Sequence, residues 1–140
     1  MKTPKIVFID DYAHHPNELT ASIQSVKQLY PEKKVTGVFQ PHLYTRTRDF
    51  VDEFAQSLSL LDDVVLLDIY PAREEPIPGI TSEVIFDKIT SKEKTLLKKA
   101  ELLEFLKNKE LEVLVTLGAG DIEHLLPEIK QLLEKRFTWK

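Results

Sequence analysis

The sequence predicts a three-layer α/β domain, a mainly parallel sheet with helices on both faces and room for one antiparallel edge strand. Two observations carry this. Four short apolar runs rich in Val, Ile and Leu do not alternate with polar residues, as expected of strands covered on both faces. Between them lie segments whose apolar residues recur at helical spacing, and strand–helix alternation is the pattern of a parallel sheet with crossover helices.

The first strand is "IVFI", Ile6 to Ile9, reached at once from the N-terminus and ended by Asp10 and Asp11. Such an abrupt start reads as one placed just before an internal domain. It has neither the long apolar region nor the small-residue cleavage site of a signal peptide. A helix opens after Pro16 and Asn17, carries Leu19, Ile23, Val26 and Leu29 on one stripe, and stops at Pro31. "VTGVF", Val35 to Phe39, is the second strand, and Phe50, Phe54, Leu58 and Leu61 form the next stripe.

"VVLLDI", Val64 to Ile69, is the third strand. A long connection follows, with a Pro/Gly loop "YPAREEPIPGITSE", a helix from about Ser82 to Ile89, a short strand at Thr95 to Leu97 and a helix near Ala100 to Lys107. "EVLVTL", Glu112 to Leu117, is the last strand; Asp121 to Leu125 reads as a separate turn before a helix with Pro127 in its first turn. No repeat or linker divides the chain, so residues 1–140 form a single Rossmann-like domain.

Hydrophobic residues at 42% and charged residues at 30% exclude a disordered chain. The formal charge of -4, with 19 Lys and Arg interleaved among 23 Asp and Glu, argues against a nucleic-acid binder. No apolar run approaches a membrane span. The absence of cysteine excludes a disulfide framework and a thiol nucleophile, and it fits a cytoplasmic protein.

Four polar clusters follow the four main strands: "DDYAHHP", "QPHLYTRTR", "YPAREEPIPG" and "GAGD". Carboxyl ends of parallel strands share one edge, where ligands bind. Each cluster also has a plainer reading. Asp10 and Asp11 can end a strand and cap a helix. His14 and His15 can be a metal pair, although adjacent residues in an extended segment point apart, so one imidazole facing the crevice fits better. Arg46 and Arg48 can hold an anion at a helix start or lie paired on a solvated face. Arg73, Glu74 and Glu75 read as a charged loop that can also touch a ligand, with Arg73 the further ligand candidate. Gly118 and Gly120 let the backbone approach a ligand or a neighbouring strand.

Glu123 stands where the dinucleotide fingerprint needs glycine, and neither a Walker loop nor a G-x-S-x-G elbow is present. The clusters therefore read as a polar wall that positions ligands, with no self-sufficient catalytic residue.

Taken together and in this order, "DDYAHHP", "FQPHLYTRT", "DIYPAREEPIPG" and "GAGDI" resemble the C-terminal domain of the Mur ligases over essentially the whole chain. "FQPHLYTRT" points to the alanine-adding member. The resemblance implies a three-domain enzyme whose N-terminal and central domains are absent from this chain, the central one carrying the phosphate loop and magnesium site. It implies ATP and Mg2+ as cofactors, and UDP-N-acetylmuramate and L-alanine as substrates. L-alanine would join through an acyl phosphate in peptidoglycan precursor synthesis, in the cytoplasm, with no nucleic-acid or membrane partner. The isolated domain would be inactive and hold no tightly bound cofactor.

Carried onto this sequence, the resemblance puts Asp11 and Tyr12 against the ribose and adenine of ATP, and His14, His42 and Arg46 around the amino acid. No metal ligand is implied, and Asp10 and His15 become structural. Leu43 departs from the basic residue the family often has after "QPH". Two other readings stay open: a free-standing metal-dependent hydrolase built on Asp10, Asp11, His14 and His42, and a non-catalytic ligand-binding module.

Overall fold

The computed structural model describes residue 2 and residues 5–137. Its centre is a five-stranded sheet of β1 (Val7–Asp11), β2 (Val35–Phe39), β3 (Asp63–Leu67), β4 (Glu93–Leu97) and β5 (Val113–Leu117). The spatial order is β1-β5-β2-β3-β4, and every neighbouring pair is parallel. The helices are α1 (Pro16–Leu29), α2 (Tyr44–Asp49), α3 (Val51–Leu58), α4 (Glu83–Phe86), α5 (Leu102–Asn108) and α6 (Leu126–Phe137).

Both sheet faces are buried, which explains the continuous apolar runs. Along β3, Val64 and Leu66 join one core with Leu19 and Ile23 of α1, Phe54 and Leu58 of α3 and Ile85 of α4. Val65 and Leu67 point the other way, into a core with Leu102 and Leu106 of α5 and Ile129 and Leu133 of α6. The alternation of side chains across a strand thus serves two apolar layers at once.

Several expectations are corrected here. Both edge strands, β1 and β4, run parallel to the rest, so the sheet has no antiparallel edge strand among the described residues. The one antiparallel pairing described is an isolated bridge from Lys2 to Val7. β1 begins one residue late and continues through Asp10 and Asp11, because pairing with Thr116 and Leu117 of β5 carries the ladder past the apolar run. β4 starts at Glu93, since its ladder with β3 needs backbone groups and not apolar side chains.

The stripe from Phe50 spans a break. Phe50 leaves helical geometry at φ -126, ψ 30 and separates α2 from α3. The helix expected from Ser82 to Ile89 closes only over α4, and a 3-10 turn at Lys99–Glu101 precedes α5. Asp121–Leu125 is a separate 3-10 turn, as its sequence suggests.

Candidate functional site

All five strands deliver their carboxyl ends to one edge, and the polar loops meet there. The loop after β1 is fixed by its own side chains. Ala13 N–H donates to Asp11 Oδ1 (2.9 Å) and Ser22 Oγ to Asp11 Oδ2 (2.6 Å), tying the strand end to α1. Glu18 Oε1 accepts the backbone N–H groups of His14 and His15 (3.1 Å each), which caps α1 and holds the Glu18 carboxyl below its ordinary pKa. His15 turns its ring onto Phe50, 4.9 Å between centroids, while Tyr12 stands 60% exposed. Extended backbone before Pro16 thus sends His15 inward and leaves His14 at the edge.

The loop after β2 carries the cationic part of the site. Leu43 adopts φ 74, ψ 138, a left-handed conformation costly for a side chain that bears a Cβ. It is held there by hydrogen bonds: Leu43 N–H donates to the Tyr70 carbonyl (2.9 Å), and Thr47 Oγ1 donates to the Leu43 carbonyl (2.9 Å). The sharp turn starts α2, so that His42 and Arg46 lie one helical turn apart. Arg46 Nη1 donates to His42 Nδ1 at 3.0 Å. Burial, then the neighbouring Arg46 and His14, push the His42 pKa down, so its ring is neutral.

The aromatic rings form a chain along the edge. Tyr12 and His14 meet edge to face at 5.8 Å, His14 and His42 at 6.1 Å, and His42 stacks on Tyr70 at 5.6 Å with 12° between planes. No carboxylate among the described residues pairs with Arg46, whereas Arg48 is bound to Asp49 (2.8 Å) and Asp52 to Lys88 (3.0 Å). The Arg46 fork thus keeps donors that no carboxylate among the described residues takes up.

The other expected residues stand apart from this group. Arg73 is exposed and makes no polar contact among the described residues. A Cβ on Gly118 would sit 2.9 Å from the Gln40 carbonyl, at φ +134, and one on Gly120 would sit 2.5 Å from Gln40 Oε1. What comes close to both glycines is the end of β2. Asp10 accepts from Thr116 Oγ1 (2.8 Å), and desolvation with repulsion from Asp11 and Glu123 raises its pKa. Three or more His, Asp or Glu never gather at metal-binding distance among the described residues.

A family model described as "Mur ligase, glutamate ligase domain" matches residues 1–122. The chain belongs to the Mur ligase family. This Mur ligase domain is 60% identical over 136 residues to the UDP-N-acetylmuramate--L-alanine ligase of Parabacteroides distasonis, covering 97% of this chain and 29% of that protein. It is 58% identical over 137 residues to the ligase of the same name from Phocaeicola vulgatus, covering 97% and 30%. It therefore spans under a third of the length of these relatives.

Among solved structures, the UDP-N-acetylmuramate-alanine ligase of Thermotoga maritima superposes with a TM-score of 0.77 at 27% identity, over 97% of this chain and 29% of that one. A murein peptide ligase from Psychrobacter arcticus shares the fold, with a TM-score of 0.71 at 20% identity over 92% and 28%.

Two residues shape this Mur ligase site in ways the sequence does not show: Gln40 carries no expectation there, and Glu74 reads only as part of a charged loop that can touch a ligand. Gln40, almost fully buried, donates through Nε2 to Asp121 (2.7 Å) and accepts from Ile122 N–H (2.9 Å), joining β2 to the turn after β5. Glu74 accepts from Tyr44 N–H (2.6 Å), Thr45 N–H (3.1 Å) and Thr45 Oγ1 (2.5 Å), capping α2 from a loop 30 residues away. Neither has a local signal, because their partners are distant in sequence.

Proposed function

We propose that this domain serves an ATP-dependent ligase that joins L-alanine to the carboxylate of UDP-N-acetylmuramate through an acyl phosphate, in the cytoplasmic stage of peptidoglycan precursor synthesis. The observation that carries the reading is the Arg46 fork, anchored on His42, without a carboxylate partner among the described residues, and set behind a ring that meets His14 at 6.1 Å. A planar, permanently charged donor pair suits an amino-acid carboxylate, and it fixes the amine relative to the two imidazoles. Relatives that share the chain from end to end bear the name of this alanine ligase, which supports the choice of amino acid.

Nucleotide binding rests on Asp11 and Tyr12. A groove of about 580 Å³ runs past both residues and along Ser22, Ser25 and Leu29 of α1. The exposed Tyr12 ring offers a stacking face for a purine. Each Asp11 oxygen takes one hydrogen bond and keeps capacity for a ribose hydroxyl. These residues fit ATP. They do not form a carboxylate cluster for Mg2+, which when bound supplies charge neutralisation at the phosphates. The metal, the UDP-sugar and the phosphate loop are therefore assigned to the rest of the ligase.

No helix among the described residues is long and apolar enough to cross a membrane. The test is Arg46→Ala in the full-length ligase. Loss of a charge-assisted pair worth about 1.5–3 kcal/mol raises the KM for L-alanine by about 10–100-fold. The KM for ATP stays within a few-fold; equal effects on both constants refute the assignment.

A further inference from the structure

His14 and His42 face each other, but their hydrogen bonds make them chemically unlike. Arg46 is always a donor, so His42 Nδ1 accepts from it, and the single proton of the neutral ring lies on Nε2. His14 Nδ1 lies 3.0 Å from the Tyr12 carbonyl, which only accepts, so there the proton is on Nδ1 and the lone pair on Nε2. Neither Nε2 bonds to any of the described residues. The site thus presents one imidazole acceptor and one imidazole donor, with ring centroids 6.1 Å apart and planes at 84°.

We propose that the two rings divide the amine transfer: His14 Nε2 removes a proton from the incoming ammonium group, and His42 Nε2–H donates to the acyl oxygen as it becomes an oxyanion. This rests on the ligase function proposed above.

The ammonium gives one proton to His14, and the freed nitrogen lone pair attacks the carbonyl carbon of the acyl phosphate. The carbonyl π pair moves to oxygen and is met by the His42 N–H. Collapse of the adduct restores C=O and breaks the bond from carbon to phosphate oxygen. The departing phosphate takes the second nitrogen proton, leaving amide and hydrogen phosphate, and His14 returns its proton to solvent.

The surroundings suit this division. Once protonated, His14 still donates from Nδ1 to the Tyr12 carbonyl, with the Glu18 carboxylate 3.5 Å from the same nitrogen; the Arg46 charge is set back behind the neutral His42 ring. His42 faces Arg46 from α2, His14 from the first loop and Glu74 from the loop after β3; burial and Arg46 outweigh Glu74 and keep it neutral. A neutral imidazole donor is suited to an oxyanion because its N–H is a weak acid, so it gives a hydrogen bond and keeps its proton.

The test uses the full-length ligase with two nucleophiles, L-alanine and hydroxylamine, the second of which is unprotonated at neutral pH and needs no base. His14→Ala is expected to lower the alanine rate by about 100-fold or more and hydroxamate formation by only a few-fold. The alanine deficit narrows as pH rises towards the pKa of the amine, and added imidazole restores part of the rate. His14→Gln, closer in volume, is run beside it so that a folding defect in one variant does not decide the result. His42→Gln is expected to slow both nucleophiles by about 100-fold.

Parallel loss of both nucleophiles in the two His14 variants, without imidazole rescue, overturns the base. Unchanged rates in His42→Gln overturn the donor. Failure of the ligase function itself shows differently, as a wild-type enzyme that forms no UDP-N-acetylmuramoyl-L-alanine at all.

Discussion

Leu43 shows how a single residue sets the site. Its left-handed backbone, φ 74, turns the loop after β2 into α2 at the residue before the helix, between His42 and Arg46, which that turn brings together. Strain of this kind costs about 1–3 kcal/mol and persists where surrounding bonds over-determine it. The ordinary order of substitution should therefore invert here. Leu43→Gly is expected to be more stable than Leu43→Ala by about 1 kcal/mol, because glycine alone relieves the backbone. Urea denaturation of the two variants decides it, and an alanine variant as stable as the glycine one removes the strain. At this scale the sequence marked His14, His42 and Arg46 through their motifs. It was silent on the twist at Leu43, since leucine carries no signal for positive φ.

At the scale of elements, α2 is too short to stand by its own propensity, and Glu74 holds its first turn from the loop after β3. The Thr45 hydroxyl, followed by the Thr45 and Tyr44 N–H groups, lowers the Glu74 pKa below 4.5. A depressed carboxyl contributes stability that is complete above the unfolded value and is lost as pH falls through the folded one. Amide exchange at Tyr44 and Thr45 should thus accelerate as pH drops below about 4.5 relative to a neighbouring buried strand, and Glu74→Gln should show weak protection at every pH. Protection in Glu74→Gln equal to wild type would show that the cap is dispensable. The strands themselves were legible because their buried faces demand apolar runs. The break at Phe50 and the cap on α2 were not, being settled by contacts from elsewhere in the chain.

The whole molecule is polarised between its two sheet edges. The carboxyl edge gathers the candidate site residues, while the amino edge is closed by a charged network around Asp63, which is fully buried. Lys109 Nζ lies 2.6 Å from Asp63 Oδ2 and 3.2 Å from Glu93, and Lys34 reaches Glu93 at 3.0 Å. Removing Lys109 leaves the buried Asp63 charge with only the more distant Lys34 Nζ, 3.8 Å from Oδ2. Lys109→Met is expected to destabilise by about 3–5 kcal/mol while KM for ATP and L-alanine stay unchanged; a stability change under 1 kcal/mol contradicts it. The same polarity makes the site one-sided, with the phosphate loop and metal assigned to the rest of the ligase. This chain alone should therefore bind ATP weakly, and titration calorimetry giving submicromolar affinity overturns that division of labour.

The sequence by itself determined the parallel α/β class, the order of strands and helices along the chain, and the convergence of four polar clusters at one edge. Each of these depends on local periodicity or on the rule that parallel strands share a carboxyl end. Only the tertiary structure decided that Gly118 and Gly120 yield space to Gln40, that Glu74 caps α2, and that both edges of the sheet run parallel. It also made the two histidines opposite in character, through Arg46 on one ring and the Tyr12 carbonyl on the other. A proton's position on an imidazole is set by the partner across the gap, and that partner is chosen by the fold.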